Sequence, residues 1–155
     1  MKIKKLHRNA VTPTYAHETD ACFDLYAATV AGMTELGRHV DPMHPVVCGT
    51  GLAFEIPPGF AMLIFSRSGH AFKHDARLAN CVGVIDAGYV GEVMVKLTAD
   101  DSVGQDSGRQ MPLHIKPGDR VAQAMLVAVP RVVFEVMDEL GESQRGVGGF
   151  GSSGV

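Results

Sequence analysis

The sequence predicts an all-β, antiparallel fold of the jelly-roll type, and three observations carry that reading. Short runs rich in β-branched and aromatic residues recur along the 155-residue chain. Clusters such as "PPG", "AG" and "KPGD" break those runs with Pro and Gly. No stretch keeps an amphipathic helical period through three turns between caps. Many short strands with regular breaks fit a closed or double-sheet antiparallel architecture.

In chain order the predicted strands are "KIKKL", "ACFDLYA", "HPVVCGTGLAFEI", "AMLIFS", "CVGVI", "GEVMVKL", "PLHI", "RVAQAMLVAV" and "RVVFEVM". Helix-tolerant residues fill "RVAQAMLVAV", but Pro117 and Gly118 before it and Pro130 after it confine it to strand length. The polar, Gly-containing "LTADDSVGQDSGRQMP" reads as a long hairpin loop without chemistry of its own. No internal repeat or linker is visible, so one domain is expected at this length. Only the tail "RGVGGFGSSGV", from Arg145 to Val155, is of low complexity.

Composition excludes several functions. An apolar fraction of 46% supplies a real core, and 14 Lys and Arg against 17 Asp and Glu leave a formal charge of −3. That balance argues against a broad nucleic-acid-binding face or an anionic membrane surface, so phosphate recognition has to be local. The basic start "MKIKKLHRNA" leads into no apolar run of signal-peptide type, and no stretch has bilayer-spanning length; a cytoplasmic location is expected. Cys22, Cys48 and Cys81 are odd in number and contain no C-x-x-C pair, which predicts reduced, mostly buried thiols. His70 and His74 in "HAFKH" stand four apart, but Gly69 before them and the lack of an acidic neighbour favour loop or surface histidines over a metal pair.

The residues that carry chemistry fall in five islands. "VIDAGY" puts a carboxylate, Asp86, after an apolar run and before a Gly88 turn, with Tyr89 three positions on; a carboxylate held against a water can take its proton as it attacks. "SRSG" ends an apolar strand with Arg67, Ser68 and Gly69, which offer a planar donor fork, a hydroxyl and close backbone approach to an anion. Asp24 in "CFDLYA" lies between apolar neighbours and needs a partner, such as an arginine. Gln123 in "DRVAQ" is a polar residue in an apolar run, suited to a ligand or to core backbone. The tail is too rich in glycine to order alone. Its N–H groups, Ser hydroxyls and Arg145 suit phosphate oxygens, and Phe150 suits an aromatic ring. No Gly-Lys-Ser/Thr follows to make it a phosphate-binding loop of the P-loop type.

"DACFDLYA", "PPGFAMLIFSRSGHA", "NCVGVIDAGYVGEV", "KPGDRVAQ" and "RGVGGFGSSG", in that order from about Asp20 to Gly154, resemble the five motifs of the trimeric dUTPase family. The resemblance implies a β-clip-like jelly roll assembled as a homotrimer with sites between subunits. It also implies hydrolysis of dUTP to dUMP and pyrophosphate with Mg2+. It divides the chain into a barrel, residues 1–144, and a mobile Gly-rich arm, residues 145–155, that closes over the site. By the same resemblance Asp86 is the general base and Tyr89 packs under the deoxyribose. Asn80 and the main chain at Gly83, Val84, Ile85 and Met94 read uracil along one hairpin. Arg67, Ser68, Gly69 and Gln123 bind phosphates, and Asp24 holds the water shell of the magnesium ion. Arg145 grips the terminal phosphate, Phe150 covers the base, and Gly151, Ser152 and Ser153 close around the phosphates.

Two positions depart from the family pattern: Gly88 stands where a second acid is common, and Cys22 where Gly is usual. Gly88 is expected to loosen the turn that aims Tyr89. Two other readings share the pocket, a dCTP deaminase and a dUTP-sensing or protein-binding module. The first requires a catalytic Glu and a different Arg pattern, and "SRSGHA" with "VIDAGY" fits hydrolysis better; an intact Asp86 argues against the second.

Overall fold

A computed structural model describes residues 1–99 and 113–149. Most of the expected long loop, residues 100–112, lies outside them, as do Phe150, Gly151, Ser152 and Ser153. The elements are β1 (Lys2–Lys5), β2 (Phe23–Tyr26), β3 (Thr29–Val30), β4 (Arg38–His39), β5 (Val46–Gly49), β6 (Leu52–Glu55) and β7 (Phe60–Phe65). A short helix, the only one among the described residues, follows, α1 (Ser68–His74), then β8 (Ala76–Leu78), β9 (Val82–Asp86), β10 (Met94–Ala99), β11 (His114–Ile115) and β12 (Arg120–Ala128). All pairings are antiparallel. One four-stranded sheet runs β3-β5-β10-β8, the other β2-β12-β7-β9, and β1-β6 and β11-β4 form two-stranded ladders. The expected antiparallel, two-sheet β architecture is what forms.

Alternation explains which side chains fill the core. In β2, Phe23 and Leu25 point inward while Asp24 and Tyr26 lie on the opposite, half-buried face. A register shift between Arg120 and Ala122 lets both Val121 and Ala122 bury in β12. Phe54, Leu25, Leu52, Ile56, Met62, Ile64, Leu78, Leu97 and Ile115 are the large, fully buried side chains between the sheets. Each supplies about 1.5–3 kcal/mol of transfer free energy.

Four expectations change. "HPVVCGTGLAFEI" is two strands, because Gly51 takes φ +66° and turns the chain between β5 and β6. "HAFKH" is helical, ended by Asp75 in the left-handed region at φ 51° with its N–H bonded to the Ala71 carbonyl. Two turns are too short to show a period, and Gly69 in the first turn costs little there. Only Cys48 of the three free thiols is buried; Cys22 is half-buried and Cys81 exposed. Finally, "RVVFEVM" forms no strand within the chain. Among the described residues the last backbone hydrogen bond to the body is the Val129 N–H to the Gly59 carbonyl, and every residue from Pro130 to Val147 is exposed.

Candidate active site

Among the described residues β9 is the edge of its sheet and pairs only with β7, while β10 belongs to the other sheet between β5 and β8. The expected base-reading hairpin is therefore not a paired hairpin. The chain crosses from one sheet to the other at residues 87–93, and the two strands splay apart. The sequence shows two apolar runs around an "AGYVG" turn, and nothing in it says that they join different sheets.

The splay creates a cleft of about 440 Å³. Asn80, Gly83, Val84, Ile85 and Met94 all line it, with Ile64, Leu78 and Lys96 completing the walls. These are the five residues expected to read the base. An unpaired strand edge offers main-chain donors and acceptors in a fixed row, which suits a flat ring with an acceptor, donor, acceptor pattern. A Cβ at Gly83 would come 3.2 Å from the Ile64 Cβ, so glycine keeps this wall close to β7. Leu78 and Ile64 were missed because their signal, an apolar strand residue, is the same as for any core position.

Asp86 ends β9, exposed, on the face of Val82 and Val84. Its carbonyl accepts the Tyr89 N–H at 3.0 Å, which closes the turn. A second recess, of about 250 Å³, is lined by Val84, Ile85, Asp86, Tyr89 and Met94 among others, so the acid and the ring share a wall with the base cleft.

Asp24 and the arginines form the charged part. Arg67 Nε donates to Asp24 Oδ1 at 3.1 Å, and Arg120 Nη1 donates to Oδ2 at 3.2 Å. Of the two partners expected for Asp24, the protein itself supplies the arginine. Arg120 went unread in the sequence, although its place before "VAQ" at the start of an apolar run was the available signal. Ser68 and Gly69 are exposed in the first turn of α1, where helix N–H groups have no intrahelical acceptor. Gln123 Nε2 donates to the Ser66 carbonyl at 3.0 Å, so its amide braces the chain just before Arg67. Arg145 is exposed, with Nε donating to the Gly148 carbonyl at 2.7 Å.

His70, expected on the surface, is 9% exposed and its Nδ1 has no hydrogen-bond partner. Burial, then Arg67 and His74, push its pKa down to about 4 from 6.5. The folded state refuses a proton that the unfolded chain accepts below pH 6.5. The stability it contributes is therefore complete above that value and lost as pH falls toward 4. About 2 kcal/mol is expected to go over that window after allowing for solvent screening. Urea midpoints at pH 7 and pH 5, at fixed chain concentration, check this: His70→Leu should remove most of the difference. An unchanged pH slope in that variant rules His70 out as its source.

No group of three or more His, Cys, Asp or Glu among the described residues is placed to cage a metal. No helix among them is long and apolar enough to cross a membrane.

Together these features define a class: an antiparallel β protein with an open cleft between splayed strands and a carboxylate in the recess that adjoins it, while the Asp24–arginine cluster lies toward the other end of β7. Comparison with known proteins gives the family. The chain belongs to the dUTPase family, whose model matches residues 8–154. It is 41% identical over 142 residues to the deoxyuridine 5'-triphosphate nucleotidohydrolase of Leifsonia xyli subsp. xyli, covering 92% of this chain and 84% of that protein. It is also 41% identical, over 155 residues, to the protein of the same name from Helicobacter hepaticus, covering 100% and 89%. Among solved structures, the G164S mutant of the Staphylococcus bacteriophage 80alpha dUTPase with dUpNHpp superposes with a TM-score of 0.81. It is 28% identical and covers 99% of this chain and 98% of that one.

Proposed function

We propose that the protein hydrolyses dUTP to dUMP and pyrophosphate, which limits uracil incorporation into DNA and supplies dUMP for thymidylate synthesis. The observation that carries this is the position of Asp86 on the same five-residue strand whose Gly83, Val84 and Ile85 wall the ring-sized cleft. A uracil held there puts the rest of its nucleotide along the end of β9.

Uracil sits against the open edge of β9 and the Asn80 amide, with Met94 on the facing strand, and cytosine meets mismatched donors. Tyr89 lies under the deoxyribose. The Asp86 carboxylate accepts a proton from water as the water oxygen bonds to the α-phosphorus; the P–O bond to the β-phosphate breaks and pyrophosphate leaves. Arg67, with Nε fixed on Asp24, presents its terminal nitrogens to the phosphates beside Ser68 and Gly69. Gln123 acts on the same anion by holding Ser66 in place. Arg145 takes the terminal phosphate, Phe150 covers the base, and Gly151, Ser152 and Ser153 close the site and exclude bulk water; residues 145–155 are the arm in this reading.

Mg2+ fits this site through water. Each Asp24 oxygen accepts one arginine bond and keeps a lone pair, a hard acceptor suited to a magnesium-bound water. When bound to the triphosphate, the ion neutralises phosphate charge.

A homotrimer with sites between subunits is part of the proposal. It is supported by the exposed stretch Arg131–Leu140, in which Val133, Phe134, Val136 and Leu140 are each 88% exposed or more. Apolar side chains in such a row need a covering surface, and a second copy of the chain supplies one. Three free thiols suit a reducing cytoplasm.

The test is pyrophosphate release from dUTP, dCTP and dTTP with Mg2+. Preference for dUTP by at least about a hundredfold in kcat/KM is expected. Equal turnover of dCTP, ammonia release from dCTP, or tight dUTP binding without turnover each overturns the proposal.

A further inference from the structure

The Tyr89 ring is held by more than its own turn. A Cβ at Gly88 would touch nothing within 4 Å, so no packing at that position bears on the ring. A second hold lies further along the chain. Its hydroxyl donates to the Glu92 carbonyl at 2.8 Å, which folds the ring back over Gly91. A Cβ at Gly91 would stand 2.6 Å from the Tyr89 hydroxyl oxygen and 2.7 Å from Cζ, so only glycine leaves the ring this berth.

Glu92 is itself tied to the opposite sheet. Its Oε1 accepts the Gly51 N–H at 2.8 Å, in the turn between β5 and β6. The carboxylate occupies the space that a Cβ of Gly49 would fill: that Cβ would lie 2.6 Å from Glu92 Oε1 and 2.6 Å from the Thr29 hydroxyl oxygen. The next residue reinforces the junction. Thr50 donates to the Val93 carbonyl from its hydroxyl at 2.7 Å and from its N–H at 3.1 Å, and the Val93 N–H reaches the Leu52 carbonyl at 2.9 Å. Residues 49–52 thus form a fixed socket, and Glu92 is the plug that carries the Tyr89 hydroxyl on its own carbonyl.

We propose that Glu92 is the positioning residue for sugar selection: its carboxylate, seated between Gly49 and Gly51, fixes the carbonyl on which Tyr89 hangs and so sets how closely the ring approaches C2' of the nucleotide. Glu92 touches no reacting atom. The role rests on the reading that Tyr89 packs against the deoxyribose. It adds a restraint on the ring from the far side of the loop to the one supplied by the turn at Gly88.

The experiment compares kcat and KM for dUTP and UTP in the wild type, Glu92→Ala and Glu92→Gln. Loss of the carboxylate is expected to lower the dUTP-over-UTP ratio of kcat/KM by roughly tenfold, mainly through a raised KM for dUTP. The glutamine oxygen can still accept the Gly51 N–H, so Glu92→Gln should keep most of the selectivity. A Glu92→Ala ratio within twofold of the wild type, or a Gln variant as unselective as Ala, overturns the proposal. A purely structural role would lower the melting temperature in both without moving the ratio.

A second measurement needs no activity. The Gly51 amide and the Tyr89 ring, labelled with 13C and identified through Tyr89→Phe, are compared by NMR between the wild type and Glu92→Ala. Coincident shifts are expected; a Gly51 shift with a silent Tyr89 ring overturns the linkage. A wild type inactive on dUTP sinks the functional reading alone and leaves the linkage to the NMR result.

Discussion

Asp86→Asn is expected to lower kcat for dUTP hydrolysis by about three orders of magnitude, while KM changes no more than about threefold. The substitution keeps the shape of the side chain and the φ/ψ demands of the strand. The Asp86 carbonyl still closes the turn on the Tyr89 N–H, and β9 still pairs with β7. What goes is a lone pair basic enough to take a proton from water at neutral pH. Binding should survive, because the base cleft is walled by Asn80, Gly83, Val84, Ile85 and Met94 and not by the Asp86 carboxylate. Single-turnover pyrophosphate release gives the rate, and calorimetry with a non-hydrolysable dUTP analogue gives the affinity. A variant within tenfold of the wild-type rate would show that another group accepts the proton.

The second large effect concerns stability. Gly51→Ala is expected to cost about 3 kcal/mol from two additive sources. Gly51 has φ +66°, where an L side chain is strained by about 1–2 kcal/mol. Its Cβ would also lie 2.8 Å from the His7 Cβ and 3.0 Å from those of Ala10 and Ala28. Overpacking against short, rigid side chains adds about 1–3 kcal/mol, since none of them can swing aside. Gly59→Ala is the internal control: φ is +83° but nothing lies within 4 Å, so only the backbone penalty applies. Denaturant unfolding of the two variants separates the effects. Equal losses would mean that the crowding around Gly51 relaxes freely.

Much of this fold could be read from residue order. Eight of the nine predicted runs contain strands, since an alternating or fully apolar stretch between Pro and Gly clusters leaves the backbone few other options. Partner choice could not be read in the same way. Whether "CVGVI" pairs with "GEVMVKL" or with "AMLIFS" is a long-range matter absent from either segment; β9 takes β7, with Ile85 opposite Met62 and Val84 opposite Leu63. α1 was hidden by its two-turn length, and "RVVFEVM" has β propensity that the single chain gives no partner.

The site divides along the same line. Asp86, Arg67 and Asp24 stand out because a charge flanked by apolar residues must have a use or a counter-charge. The base-reading residues were legible only through resemblance, since main-chain recognition leaves side chains unremarkable. Glu92 was passed over because an acid after glycine looks like ordinary turn chemistry. Its link to Gly51 spans 41 positions.

The splayed edge of β9 has a consequence for how this protein can change over time. On the proposed reading, letters of recognition written in peptide groups are copied whatever codon stands at 84 or 85, so drift in those side chains alters the snugness of the fit and leaves the pattern being matched intact. Proline is the exception, because it deletes an N–H outright. Preference for one pyrimidine over another is thus hard to erode by single substitutions and equally hard to retrain.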